Sequence, residues 1–550
     1  MDKQTLSSYG WIIVVTLIIA VIIALASPFG DYIGIGISNI SKGFDKTANH
    51  VLGKEHISNE EDNWNDFMHD DNANHIDDSL LNPNDGTSPT TGETYETEDY
   101  VYIYKKTITS CEVIVEDDEV KSINFTYGNL SQNGWHVAVK DHLKTSYESL
   151  LNSINGKPVI DLTDTFCGCF NMKTAPVLPN NTKILKETFY YCQSLSTPPT
   201  IPNGVTTMEK AFAECSSLGY LSDIPNSVIN LTEAFLNCKK ITMAPSIPNA
   251  ATKLKSTFEG CVALTKLGTV SSNLTTIECA FKNCISLKSI PSFTTTNILN
   301  ANQAFYNCSS CSGFPSFNNN TKITSLIETF YGCSSLSSPP LLPQTIRDLT
   351  GCFSHSGIQS MPSQMYNVRV LSRTFEYCNR LYNLKPIPSS VADMSFAFRY
   401  SCIQSMPPIS SGVTNMYGSF YNCTSLQNVT PIPNTVTDLS GCFINCTHLT
   451  TTPQFGSSIQ NMASAFSGCS SLTTVQNIPA SVTNLSSTFA GCYGLNGTIT
   501  ILTTGASCQH CFSGYGRNSN TLILRGPNRT FLNALRNTAY NPNRIRTQTL

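Results

Sequence analysis

Twenty-two cysteines are the residues of this chain with the widest chemical reach. A thiolate can hold zinc, form a disulfide or attack a substrate. Two spacings resemble half of a zinc site: Cys308-x-x-Cys311, and Cys508-x-x-Cys511 with His510 inside it. A closed zinc site needs four ligands, and neither pair has a second pair near it in sequence. Histidine is sparse beyond residue 160, with His355, His448 and His510 far apart. No G-x-S-x-G, H-E-x-x-H, G-K-[ST] or paired-carboxylate element occurs. Asp70, Asp71, Asp77 and Asp78 offer oxygens for a divalent cation, but the D-x-D-x-D-G spacing is absent. The reading is of a protein that is not an enzyme and needs neither cofactor nor metal.

The cysteines fall into place once the frame around them is found. Sixteen phenylalanines, from Phe166 to Phe512, recur every 23 residues with slips to 22, 24 and 25. Thirteen cysteines stand three residues after such a phenylalanine, among them Cys192, Cys284 and Cys492. Ile-Pro precedes the phenylalanine by eleven and ten residues, as in Ile478-Pro479. Val or Ile stands seven before, Met or Leu four before, a small residue one before, and Leu six after. Prolines and abundant Ser, Thr and Asn exclude one long helix. Each unit reads as a coil of a short strand, a corner, a second extended segment and a corner. One coil cannot bury its own apolar side, so coils must stack, as in a β-rich repeat solenoid. Cysteines equivalent from coil to coil would sit at the coil spacing, beyond the roughly 3.8 Å between Cβ atoms that a disulfide wants. They are predicted to be reduced, buried and packed as small apolar groups. Cys308 and Cys508, with their partners, belong to this register. Cys442–Cys446 and Cys167–Cys169 are the pairs best spaced for oxidation.

The unit I-P-x-x-V-x-x-[ILM]-x-x-x-A-F-x-x-C-x-x-L resembles the leucine-rich repeat of the BspA type. The resemblance covers about sixteen coils, with departures at Phe353, followed by Ser-His-Ser, and at Cys402, one place late after Phe398. It implies a leucine-rich-repeat solenoid on a microbial cell surface, where several relatives are adhesins. Fold alone does not fix a ligand.

Outside the repeats the chain divides as follows. Residues 1–30 carry an uncharged run from Leu6 to Gly30, about 37 Å as a helix, enough to span a bilayer. It is expected to be a transmembrane signal-anchor, with a cleaved signal peptide after Ala24-Leu25-Ala26 as the competing reading. Residues 31–99 form a juxtamembrane segment and an acidic linker. Positions 55–99 hold fourteen Asp or Glu and no Lys or Arg, a composition of disorder. Residues 100–159 read as an N-terminal cap of strands: Tyr100-Val101-Tyr102-Ile103-Tyr104, a hairpin turning at Glu116-Asp117-Asp118-Glu119, Trp135–Val139, and a short helix over 146–154. The solenoid runs over 160–515. Residues 516–550 form a basic C-terminal cap, with strands near 497–502 and 521–524 and a helix over 527–537 showing Phe531, Ala534 and Leu535 on one side. Beyond residue 505 there are six arginines and no acid, which suits contact with an anionic cell-wall polymer.

Charged residues are 13% of the chain and the formal net charge is −4. This is about half the usual charged fraction and excludes a nucleic-acid binder. Recognition is expected from hydrogen bonds and aromatics outside the repeat register: Tyr190, Tyr191, Tyr220, Tyr306, Tyr331, Tyr377, Tyr400, Tyr417, Tyr421 and Tyr493. Tyrosine gives wide contact at low entropy cost. Several follow the marker phenylalanine by one or two places and should share one edge, unless they only brace corners. The expected function is a membrane-anchored surface protein, solenoid outside, that binds a protein or glycan ligand on host, matrix or neighbouring cells. A cleaved, secreted form is the variant of that reading. A structural envelope or pilus-like component is the alternative.

Overall fold

The computed structural model describes residues 89–116, 119–130, 132–516 and 520–550. The expected membrane anchor and nearly all of the acidic linker lie outside these residues. Among the described residues no helix is long and apolar enough to cross a membrane.

One coil explains the rest. In the coil of Phe212, the side chains of Ile201, Val205, Met208, Ala211, Phe212, Cys215 and Leu218 are all buried. Pro202 opens a corner, its carbonyl accepting from Val205 N–H at 3.1 Å, because its fixed φ suits a turn. The strand expected next shrinks to one parallel bridge, Thr207 to Asn230 of the following coil. After it the backbone turns rather than extends. Lys210 (φ 51°) and Glu214 (φ 63°) are left-handed. The N–H groups of Met208, Lys210, Phe212 and Glu214 all donate forward, to carbonyls of Asn230, Thr232, Ala234 and Leu236 at 2.8–2.9 Å. Donors at every second residue would also suit a strand, but the amides between them close tight turns, Ala211 N–H onto Met208 O at 3.0 Å and Ala213 N–H onto Lys210 O at 3.1 Å, so the segment is a run of turns and not a strand. The second extended segment is also brief. It carries a bridge eight residues after the phenylalanine, as in Thr174–Thr197 and Thr451–Thr474.

Stacking these units makes one continuous core. All fifteen consecutive phenylalanine pairs from Phe166 to Phe512 stack face to face, with ring centroids 5.1–6.2 Å apart. Each buried ring removes a large apolar area from water and gains stacking energy besides. The ladder cysteines are buried free thiols, yet they do more than fill space. Cys192, Cys284 and Cys492 each donate S–H to the carbonyl of the preceding coil's phenylalanine, all at 3.0 Å, and nine others repeat the bond. Burial pushes these thiols up, well away from the thiolate. Ser356 and Ser401 occupy the register at the two departures. Ser401 is too short to reach back a coil, and its hydroxyl donates to the carbonyl of its own Phe398 at 2.6 Å.

The N-terminal cap is a mixed sheet. Strands β1 (Thr94–Glu96), β2 (Tyr100–Tyr104), β5 (Trp135–Val139), β6 (Ser153–Ile154) and β7 (Lys157–Asp161) lie in the order β1-β2-β5-β7-β6. Strands β3 (Lys106–Glu116) and β4 (Glu119–Asn129) form the expected hairpin, with Glu116 opposite Glu119. The helix expected over 146–154 does not form. Its backbone is drawn out by the cap: Glu148 N–H donates to Asp99 Oδ2 at 2.6 Å and Leu151 N–H to the Tyr102 hydroxyl at 3.0 Å. Tyr100 and Tyr147 set their edges against Phe166 and cover the open end of the ring stack. Thr165 donates to Val137 O, as Thr188 does to Leu162 O one coil on, so β5 stands in for a preceding coil. Asp164 is buried beside Glu187; burial and that like charge raise its carboxyl to about 8.

Within the array, β8 (Met243–Ala244) and β9 (Lys266–Leu267) are the longest coil-to-coil pair. At the far end β10 (Gly497–Thr500), β11 (Leu522–Gly526) and β12 (Ile545–Thr549) pair in parallel. Helix α1 (Arg529–Arg536) buries Phe531, Leu532 and Leu535. Leu532 takes the inner place expected for Ala534, which is exposed: the helix rolls to bury its larger side chain.

Candidate functional site

The left-handed residue two places after each phenylalanine turns the chain outward, so the first and second residues after the ring form one edge of the solenoid. From the coil of Phe305 to that of Phe420, each coil sets one ring there. Tyr306, Tyr331 and Tyr421 hold the first place; His355, Tyr377 and Tyr400 hold the second. Together they form one unbroken stack. Centroid separations run 4.3 Å (Tyr306–Tyr331), 4.9 Å (Tyr331–His355), 4.3 Å (His355–Tyr377), 4.5 Å (Tyr377–Tyr400) and 5.6 Å (Tyr400–Tyr421). The two most tilted contacts, 40° and 54°, are the two where the ring changes place.

Cations close both ends. Lys282 Nζ lies 5.4 Å from the Tyr306 centroid. Arg399 lies over Tyr400 (5.0 Å), Tyr421 (5.2 Å) and Phe396 (5.3 Å), and its Nη1 is 3.3 Å from Glu376. Burial raises the Glu376 carboxyl and the nearby arginines lower it; burial prevails. The phenols of Tyr331, Tyr377 and Tyr421 are raised by burial and by the neighbouring phenols. The His355 imidazole is lowered, because desolvation between two rings penalises its charged form. The five tyrosines are half-buried. Their faces are spent on each other, and the rest of each ring keeps part of its surface exposed.

The sequence list is thus divided. Tyr306, Tyr331, Tyr377, Tyr400 and Tyr421 are brought together. Tyr417 joins indirectly, edge-on to Phe396 at 4.7 Å. Tyr190 and Tyr191 form a separate pair at 4.6 Å, with Lys210 5.9 Å from Tyr190. Tyr220 stands apart by the second bridge row, 54% exposed. Tyr493 lies in the last coils. Sequence reasoning missed His355, Phe396 and Arg399. His355 was detectable, since it occupies the same place after its phenylalanine as Tyr377 and Tyr400.

Among the described residues no group of three or more His, Cys, Asp or Glu is placed to hold a metal. Each thiol of the Cys308–Cys311 pair already has a backbone acceptor, Phe281 O at 3.0 Å and Gly313 O at 3.3 Å. Cys511 is buried while Cys508 is half-exposed.

Short coils, in-register apolar ladders and parallel bridges define the class: a leucine-rich-repeat β-solenoid. A family model described as a BspA type leucine rich repeat region of six copies matches residues 162–288, 255–382, 300–419 and 394–515. The chain belongs to this family. No curated protein matches the sequence. Among solved structures, a leucine-rich repeat protein from Bacteroides ovatus is 17% identical, with 78% of this chain and 97% of that one covered and a TM-score of 0.48. A leucine rich cell surface protein from Faecalibacterium prausnitzii is 20% identical over 79% and 96%, at 0.38. The pneumococcal vaccine antigen PcpA is 13% identical over 84% and 100%, at 0.31.

Proposed function

We propose that this is a cell-surface adhesion protein whose aromatic edge, from Tyr306 to Tyr421, binds a protein ligand. The observation that carries the reading is the continuity of the stack across six coils. Rings locked against one another lose little further entropy on binding. They offer a row of phenol hydroxyls and ring edges, flanked by Lys282 and Arg399. Tyrosine and arginine are the residues enriched among binding hot spots. Nothing about the ladder is demanded by the fold, since neighbouring coils manage with Ala213, Leu236 or Ser467 at the first of these places.

In this reading residues 6–30 hold the protein at a membrane with the solenoid outside, or are removed to release it, and the basic C-terminus touches anionic wall polymer. Binding to immobilised matrix proteins, measured by surface plasmon resonance, tests the proposal. The triple variant Y331A/H355A/Y377A should lose the interaction at least about tenfold, a change of roughly 1.4 kcal/mol, while Y220A retains it. Equal binding by the triple variant and the parent would remove the ladder from the ligand surface.

A further inference from the structure

Past Tyr421 the same edge changes character. After Ile444 its two places are held by Ser467-Gly468, Ala490-Gly491 and Ser513-Gly514. The three glycines take φ of 76°, 72° and 84°, so each holds the outward turn with no side chain upon it. The edge drops to bare backbone, and a cleft of 430 Å³ opens, closed on its far side by Thr538, Ala539 and Tyr540 of the C-terminal cap. Tyr493 leans over the floor: a Cβ on Gly514 would lie 3.2 Å from its ring, and one on Gly491 3.9 Å from its hydroxyl. Tyr493 and Tyr540 are 42% and 68% exposed.

The cleft offers particular chemistry. Among the described residues no lining side chain carries a charge, which disfavours phosphate, carboxylate or a basic peptide. Apart from the two tyrosines no lining side chain exceeds threonine in size, so the apolar anchor of a protein hot spot has no seat. Donors are at hand. Gly468 and Gly491 give their N–H groups to the next coil at 2.7 and 2.8 Å, whereas Gly514, in the last coil, has no acceptor among the described residues. The Ser467 and Ser513 hydroxyls likewise make no hydrogen bond among them. Two exposed aromatic rings, uncharged donors and a floor that lets a ligand approach the backbone match a sugar, which has an apolar C–H face and a rim of hydroxyls.

We propose that the cleft between Tyr493 and Tyr540 is a binding site for a neutral saccharide, separate from the aromatic ladder and independent of it. The ring of one sugar unit lies against Tyr493 or Tyr540, and its hydroxyls meet Ser467, Ser513 and the Gly514 N–H.

The test is saturation-transfer NMR and titration of the full chain with maltotriose, mannotriose and chitotriose, each read against 3′-sialyllactose. At least one neutral trisaccharide should bind, at about millimolar affinity or better. Y493A and Y540A should each weaken it about tenfold or more. G491N should block it by filling the floor. Asparagine suits the site, because Asn422 and Asn445 hold the same left-handed position in earlier coils, and a Cβ at Gly491 meets nothing closer than 3.5 Å. An unchanged melting curve shows that G491N is folded, and Y331A should leave sugar binding intact. The proposal is overturned if none of the three neutral sugars binds, if sialyllactose binds better, or if folded G491N binds as the parent does.

Discussion

Two aromatic stacks run side by side through the middle of this molecule, and they obey different rules. The inner one comprises sixteen phenylalanines, all buried, one in every coil, with adjacent planes within 23°. The outer one comprises six rings in six coils, five tyrosines and a histidine, with tilts up to 54°. Inside, a missing ring would leave a void that neighbouring coils cannot fill. Outside, coils bearing alanine, leucine, lysine or serine at the same place keep the same backbone. The inner stack is therefore what the fold requires, and the outer stack is what the fold permits. Only the second is free to be shaped by a partner.

That contrast can be broken within single coils. Phe353→Ala should cost about 3–5 kcal/mol, as large buried aromatics do, measured by chemical denaturation with the slope as a check on cooperativity. Tyr377→Ala, two residues after Phe375, should cost only about 1 kcal/mol, the worth of ring contacts beyond area burial. Comparable losses at both sites would mean that the outer stack is also structural. A smaller effect sharpens the comparison through pH. His355 has a lowered pKa in the folded protein, so the unfolded chain takes up a proton first, near the ordinary value of about 6.5. The stability this site contributes is full above that pH and falls as pH drops below it. The melting temperature of the parent should therefore fall further between pH 7.5 and pH 5 than that of His355→Tyr. Parallel curves would show that the imidazole is not held between its neighbours.

The division of labour also explains what the sequence disclosed. Positions facing inward repeat with the period, because each must meet its equivalent one coil away; Phe, Leu, Val and Cys were legible for that reason. The local backbone was not. Left-handed turns are signalled by glycine or asparagine, but here Glu187, Lys210, Tyr377 and Phe396 adopt them. Their cost is offset by forward hydrogen bonds that no local pattern reveals. Spacing marks the cysteine as an apolar filler, whereas its bond to the preceding phenylalanine carbonyl depends on a neighbour 26 residues back, as Cys192 Sγ to Phe166 O illustrates. The helix expected over 146–154 failed because tertiary partners, Asp99 and Tyr102, took its donors. Five of the ten tyrosines proved to be one assembly because they sit one or two places after a phenylalanine in a run of coils that each carry a ring there, whereas Tyr190 and Tyr191 are followed in the next coil by Ala213 and Glu214. Arg399 entered through space, over three rings from two coils.

The four amide groups that each coil turns toward its successor have an electrical consequence. Every such peptide carries a dipole of about 3.5 D, and these point their positive ends toward the C-terminal end, offset in part by amides such as Thr206 and Ser217 that donate back to the preceding coil. Arg525, Arg529, Arg536, Arg544 and Arg546 of the C-terminal cap add to that pole. The field of the array is therefore graded along the stack, more positive at the C-terminal cap, and the aromatic edge runs along that gradient.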